Sequence, residues 1–313
     1  MTPLEDAVRI LKSGGLVAFP TETVYGLGAD ALNVKALAKV FEAKNRPTFD
    51  PLILHVADVA GARALAAAFP PLAENLAAAF WPGPLTLVLP KTPIVPDLAT
   101  SGLPSVALRV PNHPIALELL RAFDGPLAAP SANPFGGVSP TTAAHVNQGL
   151  GNKVDLVLDG GPCAVGVEST VLSLLEDVPV LLRPGGTALE DLEKVCGTIR
   201  VPQEGEAVSQ SPGRLEKHYA PRTPLYRAGS LPSYPGRPRL GYLAFRDDPM
   251  DGLWERVEVL APSGEAKEAA ANLFAALRRL DGAGLQAIAF EPLPESGLGR
   301  AVNDRLRRAS QKG

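Results

Sequence analysis

A chain of 313 residues, 46% hydrophobic and 20% charged, carries enough apolar mass for one large domain plus a small one, which excludes a disordered or fibrous protein. Its formal charge of −3 gives no global attraction to nucleic acid or to an anionic membrane, and its 2 cysteines exclude a disulfide framework or a cysteine-rich zinc site. The 30 glycines and 32 prolines are scattered among apolar segments, so they mark turns rather than low complexity.

The opening Met1-Thr2-Pro3-Leu4-Glu5-Asp6 has neither the basic nor the apolar region of a secretory signal. No apolar run approaches the ~20 residues that span a bilayer, so a cytoplasmic protein without membrane contact is expected. Thr2-Pro3-Leu4-Glu5 has the form of a capping box with proline at the first helical position, predicting a helix to Ser13 that stops at Gly14-Gly15. Residues 16–19 then read as a short buried strand. Further strands are predicted at 52–56, 85–89, 106–110, 154–158, 170–175 and 180–182, with helices at 34–43, 57–69, 71–80 and 114–123. Thr187-Ala188-Leu189-Glu190 reads as a second capping box, opening a helix to about Val195. Strands and helices that mix without strict alternation predict an α/β fold with a mixed sheet.

Composition changes after Arg200. Residues 201–222 are rich in Pro, Gln, Glu, Gly and Ser and read as a linker. Beyond it, strands at 239–245, 257–260 and 285–290 and helices at 266–280 and about 300–310 predict a small α/β unit. The expected division is therefore 1–200, a linker or lid at 201–222, and 223–313.

Several segments carry residue types capable of chemistry. Phe19-Pro20-Thr21-Glu22-Thr23-Val24-Tyr25-Gly26-Leu27-Gly28 follows a strand and gathers hydroxyls, a carboxylate and two glycines into one predicted loop. Gly26-Leu27-Gly28 only loosely imitates a dinucleotide fingerprint, because the Thr-Glu-Thr-Val-Tyr insert separates strand from glycines. Lys44 and Arg46 read as lying just past a helix end, where Pro47 forbids continuation. Two cations there either serve the helix terminus and solvent or act on a ligand. His55 stands alone among aliphatics, a pattern that is more often structural. Arg109 lies in an apolar strand, so it either meets a buried acid or faces an anion-binding cavity. Pro130-Ser131-Ala132-Asn133, leading to Ser139-Pro140-Thr141, has the short hydroxyls and amides common to phosphate loops and to plain turns. Gly166-Val167-Glu168-Ser169-Thr170 and Leu182-Arg183-Pro184-Gly185 flank a hairpin-like pair of strands. There is no Gly-x-x-x-x-Gly-Lys-[Ser/Thr] loop, no nucleophile elbow, and no zinc spacing among the four histidines, so no protein metal ligand is predicted.

In this order, together with Trp81-Pro82-Gly83-Pro84-Leu85-Thr86, these segments resemble the Sua5/YrdC family over nearly all of residues 1–200. Ser211-Pro212-Gly213 and His218-Tyr219-Ala220-Pro221 resemble the interdomain linker of the longer, Sua5-type members, and the chain from Gly297 onward resembles their second domain. The linker departs from the family at Arg214, where those members carry methionine.

The resemblance implies a twisted mixed β-sheet domain of YrdC type with a basic cavity, plus a smaller Rossmann-like α/β domain. It also implies synthesis of L-threonylcarbamoyl-AMP from L-threonine, bicarbonate and ATP, with release of pyrophosphate. That product would feed a separate transferase complex, which modifies the adenosine beside the anticodon of tRNAs reading ANN codons. By family match Lys44 and Arg46 hold the triphosphate, with Mg²⁺ bridging phosphate oxygens. Asp50, Ser105, Ser131, Asn133, Ser139, Arg183 and Tyr219 complete the ATP site. Arg109 takes the threonine carboxylate, for which a guanidinium fork is matched, and Thr23, His55, Ser169 and Ala129 hold the rest of threonine. The competing reading is an RNA-binding module on a basic concave surface, with Arg305, Arg307 and Arg308 as its support.

Overall fold

The computed structural model describes residues 2–203 and 218–310. Residues 204–217, the greater part of the predicted linker, lie outside the described residues. The chain opens with α1 (Pro3–Lys12), where Thr2 Oγ1 accepts from the Glu5 amide and the Glu5 carboxylate accepts from the Thr2 amide, so the capping box is real. A hairpin of β1 (Val17–Phe19) and β2 (Gly26–Asp30) follows. Gly26 and Gly28 therefore belong to a strand rather than to the predicted loop. The reason is steric: a Cβ on Gly28 would lie 2.7 Å from the Phe19 ring across the ladder.

The rest of the first domain comprises α2 (Val34–Lys44), β3 (Ile53–His55), α3 (Val59–Leu65), α4 (Pro71–Phe80) and β4 (Leu85–Pro90). It continues with α5 (Asp97–Thr100), β5 (Ser105–Arg109), α6 (Pro114–Phe123), β6 (Leu127–Ala128) and α7 (Ala143–Gly149). It ends with β7 (Leu156–Val157), β8 (Thr170–Ser173), β9 (Val180–Arg183) and α8 (Leu189–Cys196). The described strands form one nine-stranded mixed sheet, ordered β7-β1-β2-β6-β3-β5-β4-β8-β9. Helices α5 and α7 and strand β2 were not among the predicted elements, being short or glycine-rich.

The second predicted capping box does not form. Ala188 caps α8 without a side-chain bond, while Thr187 is tied through both its backbone groups to the Thr170 hydroxyl on β8, at 2.6 and 2.9 Å. Glu190 turns instead toward Arg300 of the second domain. A tertiary partner outcompetes the local one.

The second domain is an all-parallel sheet of β10 (Leu225–Arg227), β11 (Leu240–Ala244), β12 (Arg256–Val259) and β13 (Ala287–Phe290), ordered β10-β13-β11-β12, with helices α9 (Ala266–Asp281) and α10 (Gly299–Ala309). Its apolar core also includes Val24, Val138, Val167 and Tyr219, so the two domains share one buried cluster. Gly166 fits against the backbone of α9 so closely that a Cβ would sit 2.4 Å from the Ala270 carbonyl. Among the described residues no helix is long and apolar enough to cross a membrane.

Candidate active site

Strands β3 and β5 run parallel, and their last residues, His55 and Arg109, are register partners. Both side chains line a cavity that also receives Thr21 and Thr23 from the loop after β1, Ala129 and Ser131 after β6, and Ser169 before β8. Arg183 from the end of β9 and Tyr219 near the end of the linker enclose it further. The walls thus come from strand ends and the loops beside them, where backbone direction changes and side chains converge.

Arg109 meets a buried acid and faces the cavity at once. Its guanidinium lies 2.8 Å from Glu22 with the two side chains only 4% and 8% exposed, and its Nε donates to the Gly83 carbonyl. Glu22 in turn accepts from the Asn112 amide at 3.0 Å. Glu22 was not predicted as a site residue, although an arginine in an apolar strand demands such a partner. Around this end, the Thr21 and Thr23 hydroxyls share a hydrogen bond of 2.8 Å, and the Ser169 and Thr86 hydroxyls another of 2.8 Å.

Burial, reinforced by the Arg109 cation, pushes the His55 imidazole down to about 3. The ring is therefore neutral at any pH near 7 and suits a hydrogen-bonding role rather than an ionic one. The folded value lies below the unfolded one, so the stability it contributes is complete above pH ~6.5 and declines as pH falls toward 3. We expect the His55 ring signals in an NMR titration to stay unchanged from pH 8 to pH 5; an inflection near pH 6.5 would refute this burial.

The other end of the cavity carries Arg46 and Arg183. Arg46 donates to the carbonyls of Asp50 and Pro51 and pairs with the Asp50 carboxylate at 2.9 Å. Arg183 donates from Nη2 to the Ser169 carbonyl at 3.0 Å. Lys44 corrects the expectation of a cation past a helix end. It is the last residue of α2, 1% exposed, and its ammonium donates at 2.5 Å to each of the carbonyls of Ser131 and Asn133. The helix closes through Asn45 in the left-handed region (φ 52°), which turns the chain so that Lys44 runs inward. Burial first, then the Arg46 cation, lowers the Lys44 amine well below its ordinary value.

Other predicted ATP residues stand behind the wall rather than in it. Asp50 is the counter-ion of Arg46, and Asn133 donates to the carbonyls of Pro134 and Gly137, shaping its own loop. The Ser139 hydroxyl donates to Glu168 at 2.5 Å. Ser105 is not brought to the cavity. It begins β5, opposite Pro90, four residues or ~13 Å from Arg109 along the strand. The apolar Ala107 and Val88 lie on the sheet between, packed in a cluster of their own. Glu168 and His218 line the cavity without having been predicted. Both stand inside segments that the sequence singles out, each directly before a predicted site residue, Ser169 and Tyr219. Among the described residues no group of three or more His, Cys, Asp or Glu side chains is placed to hold a metal ion.

A family model described as telomere recombination, covering the Sua5, YciO and YrdC proteins, matches residues 9–185. A second, described as threonylcarbamoyl-AMP synthase, C-terminal domain, matches residues 187–311. The threonylcarbamoyl-AMP synthase of Pyrococcus abyssi is 45% identical over 97% of this chain and 93% of its own length. That of Bacillus subtilis is 41% identical over 98% of this chain and 92% of its own. The crystal structure of P. abyssi Sua5 complexed with L-threonine superposes with a TM-score of 0.90, covering 98% of this chain and 94% of that one at 42% identity. Both domain matches together, over nearly the full length, mean that this chain belongs to the Sua5/YrdC family.

Proposed function

We propose that this chain is a nucleotidyltransferase that makes L-threonylcarbamoyl-AMP from L-threonine, bicarbonate and ATP. The observation that carries this reading is one cavity with two differently built ends: a forked guanidinium held by Glu22, and a cationic end around Arg46 and Arg183. Relatives at 45% and 41% identity bear the corresponding name, and the P. abyssi protein binds L-threonine.

The chemistry asks little of the protein in covalent terms. The threonine amine and bicarbonate combine to a carbamate with loss of water. A carbamate oxygen then attacks the α-phosphorus of ATP, and the bond to pyrophosphate breaks. The attacking oxygen is already anionic, so no protein nucleophile is needed; alignment and neutralisation of two anions are the main requirements. Arg109 would bind the threonine carboxylate, with Thr23, His55, Ala129 and Ser169 around the remainder. Arg46, Arg183, Ser131 and Tyr219 would face the nucleotide, and Lys44 would set the charge and shape of the wall behind Ser131. Tyr219 is 1% exposed with its hydroxyl unpartnered among the described residues, which suits a ligand contact. Mg²⁺ would accompany the nucleotide on phosphate oxygens and water. In this reading the domains are 1–200 and 223–313 with the linker at 201–222, and supply of a tRNA-modifying transferase supports a cytoplasmic setting.

The RNA-binding reading loses its support. Arg305 is fully buried, and Arg307 and Arg308 both pair with Asp304, so these arginines present no free basic stripe.

Pyrophosphate release is expected to require both threonine and bicarbonate, with serine poorer by ~10- to 200-fold because it forfeits a single methyl contact. Mass spectrometry of products from ATP, bicarbonate and a mixture of amino acids tests this directly. Equal turnover in degassed buffer without bicarbonate would refute it.

A further inference from the structure

One guanidinium from the second domain reaches the cavity wall of the first. Arg305 of α10 is 0% exposed; its Nε lies 2.8 Å from Glu168, and its Nη1 donates to the Pro184 carbonyl at 2.7 Å and to Asp304 at 2.9 Å. Its guanidinium also stands 5.1 Å from the centre of the Tyr219 ring. Glu168 and Tyr219 both line the cavity, and Pro184 directly follows a third lining residue, Arg183. Glu168 is gripped from both domains, because its second oxygen accepts from Ser139. A little further along α10, the Arg308 carbonyl accepts from the His218 amide, next to Tyr219.

Domain docking does not call for this arrangement. Val24, Val138 and Val167 already bury against the second domain's apolar core, and α9 packs on Gly166. A buried guanidinium is costly to desolvate, and a hydrophobic residue would serve adhesion as well. What adhesion does not need, and a polyanion site does, is neutralisation of Glu168, which among the described residues is the carboxylate lining the cavity with Arg46 and Arg183. An uncompensated Glu168 would repel a triphosphate and be free to swing toward Arg183.

We propose that Arg305 is a positioning residue for the nucleotide end of the cavity, acting through Glu168 and Tyr219, so that the second domain completes the active site of the first. This rests on the nucleotide reading given above. Arg305 contacts none of the residues assigned to threonine; its partners are Glu168, Pro184, Asp304 and Tyr219.

The test compares full-length wild type, Arg305→Met, Arg305→Lys and Arg305→Met/Glu168→Gln, well below each melting temperature. Wild type is assayed first; if it releases no pyrophosphate with ATP, threonine and bicarbonate, the functional reading fails, whatever Arg305 does. With wild type active, Arg305→Met is expected to raise the ATP KM by ~30-fold or more while the threonine KM moves by less than ~2-fold. The double variant should recover part of the ATP affinity, because it no longer leaves a buried carboxylate uncompensated. Arg305→Lys, which keeps the charge but loses the fork, should fall between, and supplies the same comparison should the methionine variant not fold. An unchanged ATP KM, an equal rise in both KM values, or no recovery in the double variant would each overturn the proposal and leave Arg305 as an interdomain clamp.

Discussion

Lys44→Ala is expected to lower turnover by ~10²-fold, because the wall behind Ser131 loses a cation and the bonds that hold its shape. It should also destabilise the protein by about 2–5 kcal/mol. Both effects follow from its position. The ammonium donates to the carbonyls of Ser131 and Asn133, and alanine leaves the buried Asn133 carbonyl without that donor and the Ser131 carbonyl with only the Asn133 amide. A lysine past a helix end would give the first effect without the second, so thermal unfolding of the variant separates the two placements. Lys44→Met, which retains volume without donors, should be nearly as inactive but less destabilised.

A pH experiment sharpens this. The folded value of the amine is depressed, so the unfolded chain binds more protons between that value and the ordinary one near 10.5. Ligand-free stability should therefore rise with pH across that window. An anionic nucleotide favours the protonated amine instead, so ATP affinity should fall as pH rises past the lowered value, with proton uptake on binding. Calorimetry in two buffers of different ionisation heat reads that uptake. Affinity that is flat from neutral to alkaline pH would remove Lys44 from the phosphate environment.

Arg109→Lys is expected to raise the threonine KM by ~10²-fold while leaving the ATP KM within ~2-fold. The charge survives, and with it the neutralisation of Glu22 at the buried pair. What is lost is the planar fork, which can hold Glu22 with one nitrogen and still offer others to a carboxylate; an ammonium cannot reproduce that geometry. Lysine rather than alanine is the informative change, because an unpaired Glu22 in this setting would cost about 3–5 kcal/mol and confound binding with folding. If ATP affinity falls and threonine affinity holds, the two ends of the cavity have been assigned the wrong way round.

Local physics was enough for much of the scaffold. Proline and a capping pair at Thr2 and Glu5 specify α1, and the apolar period with Pro114 specifies α6 from Pro114 to Phe123, because those signals act within a few residues. Short aliphatic runs were enough for β4, β5 and β9. The same reasoning failed at Thr187, whose capping box lost to Thr170, 17 residues away in sequence. It also failed at Gly26 and Gly28, read as a loop but part of β2, where a Cβ would crowd Ala129 at Gly26 and the Phe19 ring at Gly28.

The ordered motifs named many of the residues that line the cavity, Arg109 and Arg46 among them, but not which side chains pair with which. Glu22 meets Arg109, Lys44 meets the carbonyl of Ser131 87 residues on, and Arg305 meets Glu168 across 137 residues and a domain boundary. A single side chain carries no record of such a distance. Whether a cation lies in solvent or in a wall, and whether a carboxylate is compensated, depends on which elements the sheet order sets side by side. Burial then turns those encounters into obligations, since a desolvated charge persists only where the fold provides its counterpart.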